Sequence, residues 1–305
     1  MRFWIGVTDN NWFAFLAASG CDEVNFWQPS ARAPFVNLPP GTPFLFKLKR
    51  PHNHIAGGGF FVKYATLPLP VAWDAFGIKN GAATLKDFDN LVRPLARAGQ
   101  GSLLEIGCTV LAFPFFFPRD QWIPAPEDWS SNIVVGKTYD NQDSVGKAVW
   151  AQVEQRLSAK VEAMPAVEER LPEYGAPFLS QARLGQGAFR VLVTEAYKRK
   201  CAITGETILP VLEAAHIKPF SERGPNNTFN GMLLRSDFHK LFDLGLVTVT
   251  PEYRVKVSPR IRDEWYNGKA YYRLDGQRLT GLPDNPLDLP REDLLRWHNE
   301  ERFSS

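Results

Sequence analysis

Cysteine is scarce in this chain: three in 305 residues, at positions 21, 108 and 201. An odd set without CxxC spacing excludes a disulfide framework and points to a reducing compartment. Long apolar runs are lacking too, and none approaches the roughly 20 residues of a membrane-spanning helix. The opening Met1-Arg-Phe-Trp-Ile-Gly-Val7 is too short and too quickly polar for a signal peptide and reads as a strand. The expectation is a cytoplasmic protein with no membrane partner. Excess charge is also missing, with a net +2, so any affinity for nucleic acid has to come from local groups such as Lys47-Leu-Lys-Arg50, Lys198-Arg-Lys200 and the basic residues of 254–262. Neither an internal repeat nor a low-complexity tract is present.

What is present divides in two. A length of 305 residues is about twice a typical domain, and 44% hydrophobic content supports two cores. The expected class is α+β. In residues 1–130, strand-like runs at 1–7, 43–49, 59–64 and 103–117 alternate with turn-rich pieces, which predicts a small curved sheet or barrel. Aromatics are dense there, from Trp4 and Trp12 through Phe26 and Trp27 to Trp73 and Phe76. Residues 131–178 read as a linker. Its helix is amphipathic, with Val145, Val149, Val153 and Leu157 at four-residue steps and Asp143 or Ser144 as the cap, and a loop follows over 165–177. Residues 179–305 form the second domain.

The second domain carries the chemistry. It contains Glu213-Ala-Ala-His216-Ile-Lys-Pro219 and Asn230-Gly-Met-Leu-Leu-Arg-Ser-Asp-Phe-His239-Lys-Leu-Phe-Asp243. A short strand is predicted to end at His216, where Lys218-Pro219 forces the chain out. The turn formers of 221–228 make a loop that returns at Asn230. A helix from Ser236 sets His239 and Asp243 four apart on one face, able to present a nitrogen and an oxygen to one cation. Hydrolysing a phosphodiester needs a base near a water, a divalent cation near the phosphate and a group to hold the base in one tautomer. His216, the His239/Asp243 pair and Asn230 can fill these posts. His298 beside Trp297 reads instead as a hydrogen-bonded core residue.

These motifs, with the flanks Arg183-Leu-Gly-Gln-Gly-Ala-Phe-Arg190, Tyr197-Lys-Arg-Lys-Cys-Ala-Ile-Thr-Gly205 and Tyr271-Tyr-Arg-Leu-Asp-Gly276, resemble the HNH endonucleases, in the branch of bacterial putative restriction endonucleases. The resemblance implies a β-hairpin and a helix around one divalent metal, Mg²⁺, Mn²⁺ or Zn²⁺. By it, His216 is the water-activating base, Asn230 orients it, His239 is a catalytic residue and metal ligand, and Asp243 is the second helix position. Two departures stand out. Ala215 occupies a position that often supplies a ligand, with Glu213 two residues earlier as a candidate to reach in. Cys201 lacks the partners of a zinc knuckle.

The first domain is similar in layout to the PUA superfamily, which includes ASCH, EVE and YTH domains. The residues that carry this are Phe3-Trp4-Ile5-Gly6-Val7, Pro39-Pro-Gly-Thr-Pro-Phe-Leu-Phe-Lys47, Ile55-Ala-Gly-Gly-Gly-Phe-Phe-Val-Lys-Tyr64 and the run from Leu67 to Gly77. The resemblance implies binding of RNA or a modified nucleobase in an aromatic-lined pocket. Asn25, Trp27 and Gln28, in a turn-rich stretch, are the pocket candidates. The 49–59 loop, with Lys49, Arg50, His52, Asn53, His54 and three glycines, is the candidate for contact with the nucleic-acid backbone, as is Lys198. His52 and His54 lack a nearby third ligand and do not read as a metal pair. A modified-base reader joined to an HNH nuclease implies a modification-dependent restriction endonuclease acting on DNA, with two protomers for a double-strand break. The alternatives are a nucleic-acid or modified-nucleotide binding protein with a weak or inactive nuclease half, and an RNA-directed HNH nuclease.

Overall fold

The computed structural model describes residues 1–30, 38–96, 104–162 and 184–304. It divides into two compact units, Met1–Ala182 and Arg183–Ser305. The expected loop at 165–177, and Arg183 of the flanking motif, lie outside the described residues.

The first unit is built on a seven-stranded mixed sheet. Its path runs β2 (Glu23–Gln28), β5 (Glu105–Phe116), β4 (His54–Pro68), β3 (Pro43–Leu48), β1 (Arg2–Thr8) and β7 (Gly136–Asp140), with the short β6 (Ile123–Pro124) on β4. β1 and β3 are parallel, Trp4 opposite Phe44, and all other pairs are antiparallel. The path is open among the described residues, with β2 and β7 at its two ends. Helix α1 (Asn10–Ser19) lies in the crossover between the parallel strands, and α2 (Leu69–Phe76) and α3 (Leu85–Val92) lie between β4 and β5 in the chain. It starts where Asp9 accepts hydrogen bonds from the amides of Asn11 (3.0 Å) and Trp12 (3.3 Å), and it stops at Gly20, which takes the left-handed conformation.

The four expected strands are all found, and β4 is more than twice the expected run. Its glycines are packing residues. A Cβ at Gly57 would sit 2.3 Å from the Phe115 carbonyl oxygen, and one at Gly58 would sit 2.6 Å from the Phe115 ring. They let β5 close on β4 and are not arranged as an exposed phosphate cradle.

Residues 131–162 are not a spacer. β7 extends the first unit's sheet beside β1, and helix α4 (Ser144–Glu162) buries Val149, Trp150, Val153 and Leu157. The Trp150 ring lies 5.6 Å from that of Phe3 in β1. The four-residue apolar steps were legible; that their partner is the first strand of the same unit is a long-range fact that periodicity does not carry.

The second unit centres on a two-stranded hairpin, β8 (Leu212–His216) and β9 (Gly231–Arg235), in which His216 faces Gly231. α5 (Gln186–Ala196) packs on one side and α6 (Ser236–Asp243) follows β9 directly. Gly231 permits the first contact, since a Cβ there would lie 2.5 Å from Val193 of α5. A second hairpin, β10 (Val247–Val249) with β11 (Val255–Val257), completes the core with the C-terminal Glu292–Glu301 helix. His298 on that helix is a core residue. It is 2% exposed, stacks on Phe242 at 3.7 Å, donates from Nε2 to the Phe242 carbonyl (3.1 Å) and accepts at Nδ1 from Thr248 (2.8 Å).

Burial pushes the His298 imidazole down to about 4 from its ordinary 6.5. The unfolded chain therefore takes up a proton that the folded unit refuses. This costs nothing above pH 6.5 and on the order of 3 kcal/mol by pH 4. Gln at 298 can make the same two hydrogen bonds without titrating. Denaturant midpoints of wild type and His298→Gln should diverge as pH falls from 6.5 to 4, with the wild type losing more. Parallel loss in the two proteins would show that the imidazole is solvated.

Candidate active site

His216 ends β8, and two contacts fix its ring. One face lies flat on Phe189 of α5, with centroids 3.8 Å apart and planes 9° from parallel. Its Nε2 is 2.8 Å from Asn226 Oδ1, and the Asn226 amide nitrogen donates to the Leu184 carbonyl at 2.6 Å. Burial lowers the His216 pKa below the ordinary imidazole value, partly opposed by the Asn226 hydrogen bond and by the charge of Asp243, with His239 adding to the lowering. The neutral form, which can accept a proton, is thereby favoured near pH 7.

Asn230 is wholly buried and does not touch the His216 ring through its side chain. Its Oδ1 accepts from the Lys218 amide, and its Nδ2 donates to the carbonyls of Lys218 and Pro225, all at 2.9 Å. Its own backbone carbonyl accepts from the Ile217 amide at 2.9 Å. Asn230 thus closes the loop between the hairpin strands, and the side chain on the His216 ring belongs to Asn226. That residue lies in the stretch read only for its turn formers. An asparagine in such a stretch carries no mark that separates a turn former from a side chain reaching an imidazole.

His239 and Asp243 stand on one face of α6, with Nε2 to Oδ2 at 3.4 Å. Two ligands of a tetrahedral cation with bonds near 2.1 Å are separated by about 3.4 Å. The other ring nitrogen, Nδ1, is 2.6 Å from Glu213 Oε2. Glu213 therefore sits on the side of His239 away from Asp243, where it fixes the ring's tautomer and orientation rather than sharing the cation. Ala215 is fully buried in the core. Among the described residues no group of three or more His, Cys, Asp or Glu side chains is arranged to hold a metal ion. His239 Nε2 and Asp243 Oδ2 are the pair that could hold a divalent cation, offering it a nitrogen and a hard oxygen.

Cys201 is also structural. Its buried sulfur accepts from the Arg235 amide (3.2 Å) and the Thr204 amide (3.4 Å), tying the preceding turn to the end of β9.

The remaining candidates are dispersed. Asn25 and Trp27 lie in strand β2, not in a turn, and both point at Asn80. Asn25 is wholly buried and donates to Asn80 Oδ1 (2.8 Å), and the Trp27 indole N–H donates to the Asn80 carbonyl (2.9 Å) while its ring meets Phe88 edge-on at 5.6 Å. Gln28 is half-buried at the strand's end. Lys49 is paired with Asp9 (3.1 Å) and Lys198 with Asp284 (2.7 Å). Arg50 is exposed and has no carboxylate partner among the described residues. No described helix is long and apolar enough to cross a membrane.

A family model described as HNH endonuclease matches residues 201–250. Among solved structures, the chain is similar to a modification-dependent TagI restriction endonuclease, at 14% identity over 91% of this chain and 74% of that one, with a TM-score of 0.27. At that score the likeness carries no argument about residues or fold. No curated protein matches the chain. Residues 201–250, which hold His216, Asn226, Asn230, His239 and Asp243, are an HNH endonuclease domain.

Proposed function

We propose that this protein is a modification-dependent restriction endonuclease, in which the first unit reads an altered base in DNA and the second hydrolyses a phosphodiester nearby. The observation that carries the nuclease reading is the placement, inside the HNH-matched segment, of a stacked imidazole with a lowered pKa beside the His239/Asp243 pair. His216 takes a proton from water, and the water oxygen attacks phosphorus as the opposite phosphorus–oxygen bond breaks. His239 and Asp243 would hold a divalent cation, with Glu213 steadying His239 from behind. That cation, when bound, offsets the negative charge that builds on the phosphate. One such site lies among the described residues, so a double-strand break calls for two copies.

Base reading rests on the likeness of residues 1–130 to the PUA superfamily. Of the three candidates, Trp27 and Gln28 are half-buried and can take part in contact with a base, while the wholly buried Asn25 serves to place Asn80. Arg50 supplies backbone contact with a charge that no acid among the described residues neutralises. A second reading, a binding protein with a weak nuclease, is favoured by Ala215, whose methyl leaves the cation with a sparse set of protein ligands.

His216→Ala should reduce DNA cleavage by about 10²-fold or more while leaving the fold intact. The acid limb of the wild-type rate profile should lie below pH 6.5, because the base stays neutral to a lower pH than a free imidazole. Wild-type rates in the variant would remove His216 from the reaction.

His239→Ala and Asp243→Ala should each weaken Mn²⁺ or Mg²⁺ binding by calorimetry, and excess metal should restore part of the Asp243→Ala activity. Metal affinity unchanged in both would place the cation elsewhere.

For recognition, the His216→Ala protein should be titrated with matched duplexes containing cytosine, methylcytosine, hydroxymethylcytosine and glucosylated hydroxymethylcytosine. The expected result is a preference for one modified duplex, weakened in Gln28→Ala and, by roughly 1–3 kcal/mol, in Trp27→Ala. Equal affinity for all four, with retained cutting by wild type, would exclude a modified-base reader. Digestion of RNA in preference to DNA would favour the RNA-directed alternative.

A further inference from the structure

We infer that Asn226 is the positioning residue of the His216 base and makes Nδ1 the atom that accepts the proton. The inference rests on the reading of His216 as the base. Asn226 is only 9% exposed, and its amide has a single consistent orientation. The Leu184 carbonyl, 2.6 Å away, accepts and cannot donate, so the group facing it is the Nδ2 amide. Oδ1 is then the atom turned to His216 Nε2, at 2.8 Å. Oδ1 cannot donate either, so the neutral imidazole carries its hydrogen on Nε2 and its lone pair on Nδ1. Among the described residues no protein group bonds Nδ1. The flat contact with Phe189 prevents the ring from tilting, and the Asn226 bond prevents a flip. The lone pair is held in one direction before substrate arrives.

The anchor has a location that matters. Leu184 lies just before α5 and Phe189 in its first turn, so the base is held from the start of the second unit as well as from its hairpin. A nuclease fragment therefore has to begin upstream of Leu184 to keep the base in place.

The test uses the full-length protein labelled with ¹⁵N-histidine, above the pH at which His216 protonates, with its signals identified by their loss in His216→Ala. Long-range ¹H–¹⁵N spectra of wild type should show the Nε2–H tautomer at His216. In Asn226→Ala that signal should shift to a tautomer mixture, and cleavage should fall by up to ~10²-fold with Mn²⁺ affinity unchanged. Asn226→Asp keeps an acceptor at the same place and should keep the Nε2–H tautomer and more of the activity than the alanine variant. An Nδ1–H tautomer in wild type overturns the inference whatever the variants do. So does an unchanged tautomer and rate in Asn226→Ala. Full activity in His216→Ala would instead bring down the underlying reading of His216 as the base, an outcome separable from both.

Discussion

The side-chain amide of Asn230 is the constraint on which the second unit's chemistry depends. Residues 217–230 leave the hairpin between its two strands, and a loop of that length has no reason of its own to return its ends in register. Asn230 supplies one by bonding both backbone groups of Lys218 and the carbonyl of Pro225. It is wholly buried, so an unmade bond there would leave a polar group stranded, at about 1–3 kcal/mol each. With the loop closed, His216 is held at the end of β8, Asn226 is returned against its ring, and β9 is aimed so that α6 starts at Ser236. The placement of His216, of Asn226 and of the helix that carries His239 and Asp243 follows from one pinned loop.

The two histidines of this site are treated in opposite ways. His216 is surrounded by an aromatic face and a neutral amide, so burial dominates and the neutral form is favoured. His239 has a carboxylate at each nitrogen, Glu213 on one side and Asp243 on the other. An imidazole asked to accept a proton needs the first environment, and one asked to bind a cation beside a carboxylate needs the second. The same residue type is assigned different work by what packs against it.

Much of this site was legible because it is local. The spacing of His239 and Asp243 alone puts them on one face of a helix, and the turn formers of 221–228 announce a loop. What was not legible depends on contacts between residues far apart in the chain. The Asn226 side chain reaches Leu184, 42 positions earlier, and Glu213 reaches His239, 26 positions later. The first unit shows the same limit. Its apolar strands could be found by pattern, but β2 escaped because Asn25 and Gln28 interrupt the run, and the polarity of Asn25 is explained only by Asn80, 55 positions away. Helix α4 was found by its apolar steps, while its attachment to β1 through Phe3 and Trp150 was not.

The aromatic richness of residues 1–130 illustrates why composition alone cannot locate a recognition surface. Trp12 meets Phe26 and Phe46 edge-on at 5.5 and 5.3 Å, and Phe44 lies 4.8 Å from Phe26. These rings are packed in the core of the sheet, where each buries large apolar area and gains from tilted or edge-on contact. A ring used in this way has no face left for a base. The base reading proposed for this unit accordingly has to draw on side chains at the margin of that core, where Trp27 shows one half-buried ring and Gln28 a half-buried amide, and on charge left uncompensated among the described residues, as at Arg50. On the proposed function, recognition is a matter of a few edge groups added to a core that is stable without them, so Gln28 and Arg50 are free to vary in a way that Phe44, Phe46 and Trp12 are not.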